Sequence, residues 1–204
     1  MLETQKLWEN YINNNLIKLI GEKPEGNFYS KHLSNKKENA MIPKQINFIN
    51  FLKKFNPKKV LEIGFNAGFS ALLIKMICPD CHLTCIDINS HSYVVPCYNE
   101  ISKTYPDIKL ILENSLTALP KLIAKEKKFD VIHLDGSHEL QTAEIDFLNT
   151  LKLCNSGGVI IFDDTNLPHL NNLCDKYIKQ KKIKEYNLEK VKFDKYQNRF
   201  LEII

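Results

Sequence analysis

Between residues 60 and 162 the chain alternates two hydrophobic patterns. Compact apolar runs of four to six residues occupy 60–63, 83–88, 108–112, 129–134 and 159–162. Runs of that length, bounded by turn residues, read as buried strands. The intervening segments 69–76, 92–105, 116–125 and 139–153 carry apolar residues at helical spacing, although Pro96 makes the second of them imperfect. Ahead of this block, Leu7, Tyr11, Ile12, Leu16, Leu19 and Ile20 predict an amphipathic helix over 2–20, ended by Gly21. Residues 22–39 are polar, with Pro24 and Gly26, and read as a loop of the length often found over active sites. Pro43 opens a second helix that runs through Ile46, Ile49, Phe51 and Leu52 to Phe55. Gly157 and Gly158 turn the chain into the fifth strand. A helix over 174–180 follows. Strand-like runs at 185–193 and 199–204, separated by 194–198, signal a closing hairpin.

Strands alternating with helices imply an α/β fold with a mostly parallel sheet covered on both faces. Ligands of such sheets bind beyond the carboxyl ends of the strands. Gly64, Asp87, Asn114, Asp135 and Asp163 all fall at those ends, so one sheet would collect them along one edge. The first unit, VLEIGFNAGFSALLIKM over 60–76, is strand, tight turn, helix. Gly64 and Gly68 lack a Cβ and let a ligand approach the backbone, and the following helix presents free N–H groups. Asp87 lies 23 residues after Gly64, near the distance of about 20 at which an acidic residue grips a ribose. Asn66 stands where a pyrophosphate-binding turn needs its second glycine. A nucleoside without phosphates therefore fits better than a dinucleotide.

Asp135, Asp163 and Asp164 would crowd together at the same edge. Adjacent carboxylates repel, and a divalent cation relieves the repulsion. Oxygen ligands favour Mg²⁺, Ca²⁺ or Mn²⁺. The plainer reading is that Asp163 and Asp164 cap the next segment while Asp135 supports the Gly136 turn. His133 lies inside its strand and reads as an internal residue, whereas His91 and His169 follow strand ends and could line a substrate cleft. Trp8, Phe28, Tyr29 and Tyr93 could stack on a substrate, with core or surface roles as the simpler account.

The bulk numbers narrow the picture. With 204 residues, 44% of them hydrophobic and 25% charged, the chain reads as a single domain over 1–204 with a helical and loop extension over 1–40. Net charge is +4, but the lysines are scattered and Arg199 is the sole arginine, so a nucleic-acid groove is not favoured. No run of 18 apolar residues occurs, so no membrane span is expected. The first residues lack a signal-peptide pattern. Six cysteines without such a signal suggest reduced thiols and a cytoplasmic location. Cys78, Cys81 and Cys85 lack the second pair that a zinc site needs.

The glycine turn with Glu62 before it and Asp87 after it resembles the S-adenosylmethionine (SAM) site of class I methyltransferases. From residue 41 to 164 the pattern is similar to the catechol and caffeoyl-CoA type of metal-dependent O-methyltransferase. Asp135-Gly-Ser-His138 followed by GGVIIFDD resembles the group that carries Asp-Gly-x-His, which includes antibiotic-tailoring and sugar O-methyltransferases. The resemblance implies a Rossmann-like class I methyltransferase fold, with a mostly parallel seven-stranded sheet, a C-terminal antiparallel hairpin and N-terminal helices. It implies that Glu62, Gly64, Gly68 and Ser70 hold the methionine part of SAM, with Phe65 and Asn66 in the same turn. Asp87 would hold the ribose, and Asn114 and Ser115 would lie by the adenine. Asp135, Asp163 and Asp164 would hold Mg²⁺, and His138 falls where the catechol type places its catalytic lysine. Asn66, Ala67 and Asp164 depart from the usual residues. The expected activity is methyl transfer to a hydroxyl of a small molecule or sugar, with Asp135 and His138 catalytic. An RNA methyltransferase and a SAM-binding module without catalysis stay open as alternatives, and nothing in the sequence forbids a homo-oligomer.

Overall fold

The computed structural model describes residues 2–21, 26, 28–29, 35–191 and 196–204. Residues 22–25, 27 and 30–34 of the polar stretch and 194–195 of the expected hairpin turn lie outside them. Seven strands are present among the described residues: β1 Lys59–Ile63, β2 His82–Asp87, β3 Ile108–Leu112, β4 Phe129–Leu134, β5 Cys154–Phe162, β6 Ile183–Glu185 and β7 Arg199–Ile203. They form one sheet in the order β3-β2-β1-β4-β5-β7-β6. The first five run parallel, and β7 is antiparallel to both β5 and β6. The expected α/β fold of the class I methyltransferases is the one observed.

The helices are α1 Leu2–Tyr11, α2 Asn35–Phe55, α3 Phe69–Ile77, α4 Val94–Thr104, α5 Ser115–Ala124, α6 Leu140–Leu153 and α7 Pro168–Lys179. A wider turn at Ile12–Leu16 and a tighter one at Ile17–Leu19 prolong α1. Strand alternation sorts the core into two layers. Val60 and Cys85 face Trp8, Phe48, Leu72 and Ile101, so α1 to α4 cover one side. Leu61, Ile132 and Phe162 face Leu119, Phe147 and Leu173, so α5 to α7 cover the other. Both faces of β1 are thereby buried, which explains its unbroken apolar run.

Four boundaries differ from the sequence reading. The second helix starts at Asn35 and carries Pro43 inside it. A proline that opens a helix and one that forgoes a hydrogen bond within it leave the same mark in a sequence. The fifth strand starts at Cys154, and Gly157 and Gly158 form an irregularity within it. Gly157 has φ of +72°, and a Cβ on Gly158 would meet the Asp130 carbonyl oxygen at 2.8 Å, as at a bulge. The seventh helix begins at Pro168, its first residue, a start signal that fits its fixed φ. The strand expected over 185–193 is reduced to Ile183–Glu185. Tyr186 and Leu188 pack on the first core and Asn47 of α2 pairs with the backbone of Val191. The Tyr186 ring packs on Phe51 and Phe55 of α2 while its N–H still donates to the Phe200 carbonyl of β7 at 2.8 Å; the end of the run, 192–193, lies outside the described residues.

No helix among the described residues is long and apolar enough to cross a membrane. All six cysteines are buried as free thiols.

Candidate functional site

The parallel strands deliver their C-terminal ends to one edge, and the turns after them interlock. Gly64 has φ of +94°, and a Cβ there would lie 1.9 Å from the carbonyl oxygen of Asp135. Glycine at 64 is thus what lets β1 and β4 meet at their ends, where Asp135 N–H donates to the Ile63 carbonyl at 2.9 Å. Asn66 has φ of +51°, and its N–H donates to Asp87 at 2.8 Å. The N–H of Asn89 donates to the other Asp87 oxygen at 2.7 Å. Asp87 therefore ties together the turns after β1 and β2. A carboxylate oxygen has room for a second donor, so both oxygens can still receive hydroxyls.

Beside these turns opens a cleft of about 450 Å³ lined by Gly64, Asn66, Asp87, Asn114, Ser115 and Asp135 among others. That volume falls within the range of small-molecule sites. Six of the residues predicted from sequence thus share one wall system. His91 joins them, stacked on the buried Tyr93 ring at 4.9 Å. Asn114 caps α5 by accepting from the Leu116 N–H at 2.9 Å.

The remaining expected cofactor residues lie behind the cleft wall. Phe65 is buried, packs against Tyr98 and occupies the space a Cβ on Gly68 would enter. Ser70 donates to Glu62 at 2.6 Å. Glu62 is wholly buried and also meets His133 Nδ1 at 3.1 Å and the Cys85 thiol at 3.4 Å. Trp8, Phe28 and Tyr93 are core residues; Trp8 donates to the Phe69 carbonyl at 2.8 Å.

A second cluster sits at the ends of β4 and β5. His138 Nε2 is 2.7 Å from Asp164 Oδ2, with the imidazole 55% exposed and the carboxylate nearly buried. The bond to Asp164 raises the pKa of His138 despite partial burial. His169 Nε2 reaches the His138 carbonyl at 2.8 Å. Burial and the neighbouring Asp163 charge push Asp135 up to about 7. Asp163 accepts the N–H of Asp164 at 2.7 Å on Oδ1, and its Oδ2 lies 2.6 Å from the Lys44 ammonium and 3.7 Å from His133 Nε2. Burial opposes the charged form of Asp163, but Lys44 and His133 outweigh it and hold its pKa well below the usual range. For His133, too, burial is outweighed: Asp163 and Glu62 raise its pKa to about 10. Two cations and two anions are therefore paired inside the protein, the arrangement that makes buried charge tolerable.

These contacts decide which donors suit a divalent ion. Asp135, His138 and Asp164 each offer an atom within 4.8 Å of the others, as do His133, Asp135 and Asp163. The expected ligands Asp135, Asp163 and Asp164 are divided between these two groups, which share Asp135. Each trio has two carboxylates and one imidazole; in the inner one Asp163 and His133 are engaged in the pairs just described, whereas the outer one opens to solvent through His138.

Sequence reading passed over Lys44 and Asp146. Lys44 follows the spacing of Phe48, Phe51 and Leu52 on the buried face of α2. Asp146 stands among Ala143, Phe147 and Thr150 on the buried face of α6. It accepts from Ser115 at 2.8 Å, and its Oδ1 has no hydrogen-bond partner. Burial pushes its pKa up to about 6. A carboxyl raised on folding favours the native state below its unfolded value of about 3.9, and that contribution is lost as pH climbs through the folded value. Asp146→Asn keeps the shape and removes a penalty of up to about 3 kcal/mol at neutral pH. It is expected to raise the melting temperature by several degrees at about pH 8 and not at about pH 4. Equal melting curves for both proteins at the higher pH would contradict the assignment.

Comparisons with known proteins bear on this edge. A family model described as a methyltransferase domain matches residues 61–165, from β1 to just past Asp164. A protein of Dictyostelium discoideum named probable caffeoyl-CoA O-methyltransferase 3 is 32% identical over 122 residues, which cover 57% of this chain and 47% of that protein. The match thus spans about half the length of that relative. Among solved structures, an O-methyltransferase of Bacillus cereus in complex with S-adenosylhomocysteine aligns with a TM-score of 0.63 at 16% identity, over all of both chains. An O-methyltransferase of tomaymycin synthesis from Streptomyces achromogenes, in complex with SAM, aligns with a TM-score of 0.62 at 17% identity, over 79% of each chain. At these identities the structures show a shared fold.

Proposed function

The chain belongs to the methyltransferase-domain family, and on that premise we propose that it transfers a methyl group from SAM to a hydroxyl of a small molecule or sugar. One observation carries the reading: the cleft at Gly64, Asn66 and Asp87 and the His138–Asp164 pair meet at the same sheet edge, bridged by Asp135. SAM-bound and S-adenosylhomocysteine-bound neighbours of the same fold support the choice of cofactor.

SAM supplies an electrophilic methyl group on a sulfonium. Asp87 accepts the ribose hydroxyls, with Asn114 and Ser115 flanking the base. Gly64, Gly68 and Asn66 shape the turn against which the methionine part lies. Glu62, Ser70 and Phe65 support that turn from inside. His138, oriented by Asp164, takes the proton of the acceptor hydroxyl. A divalent cation such as Mg²⁺ would be held by Asp135 and Asp164 beside it and would lower the pKa of the hydroxyl. The half-exposed position of His138 leaves room for an acceptor to approach from solvent.

The test is an assay with methyl-labelled SAM against a panel of hydroxylated aromatics and sugars, with transfer RNA in parallel. Labelled small molecules are expected. Label on RNA alone would overturn the small-molecule reading, and tight SAM binding without any product would favour a binding module.

A further inference from the structure

Lys44 reaches the acidic edge from α2. Its side chain is fully buried, and Nζ lies 2.6 Å from Asp163 Oδ2 and 5.5 Å from the centre of the Phe28 ring. Burial works against a charged lysine, but the carboxylates of Asp163, Asp135 and Asp164 outweigh it and raise its pKa. The other oxygen of Asp163 is committed to the Asp164 N–H. The imidazole of His133 closes the remaining side, fixed by Glu62 and flanked by the Phe28 and Phe48 rings. A divalent ion could reach Oδ2 of Asp163 only by expelling an ammonium that is already desolvated and paired, and at Oδ1 it would have to share the oxygen with the Asp164 N–H.

We propose that Lys44 is a built-in cation that holds Asp163 out of any metal shell, so that a divalent ion at this edge is bound by Asp135 and Asp164 without Asp163. Lys44 then sets how far the protein depends on metal. One positive charge is fixed permanently where a metal-dependent site would place two exchangeable ones. The loss of one anionic ligand weakens affinity for hard cations, whose binding follows the number and charge of oxygen ligands. The consequence for catalysis rests on the methyl-transfer reading; the metal-binding claim rests on the ion pair alone.

The test is titration of the full chain with Mn²⁺, followed by calorimetry and by the loss of the free-ion paramagnetic resonance signal. Wild type is compared with Lys44→Met, Asp163→Asn and the double variant. Lys44→Met is expected to bind Mn²⁺ at least about tenfold more tightly, because Asp163 becomes available as a ligand. The double variant should return to wild-type affinity, whereas Asp163→Asn alone is expected to bind Mn²⁺ more weakly, because the unpaired Lys44 ammonium then opposes the ion. Unchanged affinity in a folded Lys44→Met protein would overturn the proposal. So would a double variant that has lost the wild-type site, and this arm decides the matter even if Lys44→Met alone fails to fold. SAM binding by each variant is measured alongside. Its absence in wild type would count against the proposed function and leave the Mn²⁺ result standing.

Discussion

His138→Ala is expected to lower turnover by about 10²- to 10⁴-fold while leaving SAM affinity close to that of wild type. The magnitude is the usual worth of a positioned general base. The selectivity follows from geometry: the cleft proposed for SAM is lined from the ends of β1 to β4 by Gly64, Asp87, Ser115 and their neighbours, whereas the His138 ring turns toward Asp164. The pH profile carries the same signature. A base works only when deprotonated, and the hydrogen bond to Asp164 raises the pKa of His138. Activity should therefore rise with pH along an acid limb that lies above the ordinary histidine value of about 6.5. Asp164→Asn removes the charge behind that shift and should move the limb to lower pH. Initial rates against pH, with SAM saturating, check both statements. Turnover that survives His138→Ala would end its assignment as the base.

Gly64→Ala is expected to damage fold and function together. The added Cβ would be placed 1.9 Å from a backbone oxygen of Asp135, an atom that cannot swing aside as a flexible side chain can. The residue would also have to hold φ of +94°, which adds about 1–2 kcal/mol for an L-residue. Overpacking of this kind adds about 1–3 kcal/mol more. A combined loss of about 3 kcal/mol or more corresponds to a fall of roughly 10 °C in melting temperature for a chain of this size. Because β1 and β4 must part to admit the methyl group, SAM affinity should fall as well. A thermal melt and a SAM titration on the same sample check this. Gly21→Ala, where nothing lies within 4 Å of the added atom, serves as the control. Equal melting temperatures for the two variants would contradict the account of Gly64.

The contrast between these glycines shows what the sequence reveals and what it hides. Gly64, Asp87 and Asp135 were legible because each follows a compact apolar run, and a parallel sheet must bring such ends together. The strand over 185–193 was misread because Tyr186 and Leu188 alternate as a strand does, yet pack on the core that α1 to α4 cover. No local pattern distinguishes an apolar face that pairs in a sheet from one that packs on a helix. Lys44 and Asp146 were invisible for a related reason. A charged residue on an apolar helix face carries no mark of its partner, and their partners Asp163 and Ser115 lie over 100 and 30 residues away along the chain. The acidic edge shows the limit most clearly. Three carboxylates at strand ends were legible as a cluster, but the ammonium that pairs with Asp163 comes from a different element.

The most direct measurement of the central claim is a calorimetric titration of the purified chain with SAM, repeated on Asp87→Ala. Saturable binding at one site per chain is expected for wild type. Asp87→Ala should bind at least about tenfold more weakly, since it loses both the proposed ribose acceptor and the tie between Asn66 and Asn89. A folded wild-type protein that releases no heat with SAM and is not stabilised by it, or an Asp87→Ala protein that binds as tightly as wild type, would contradict the account.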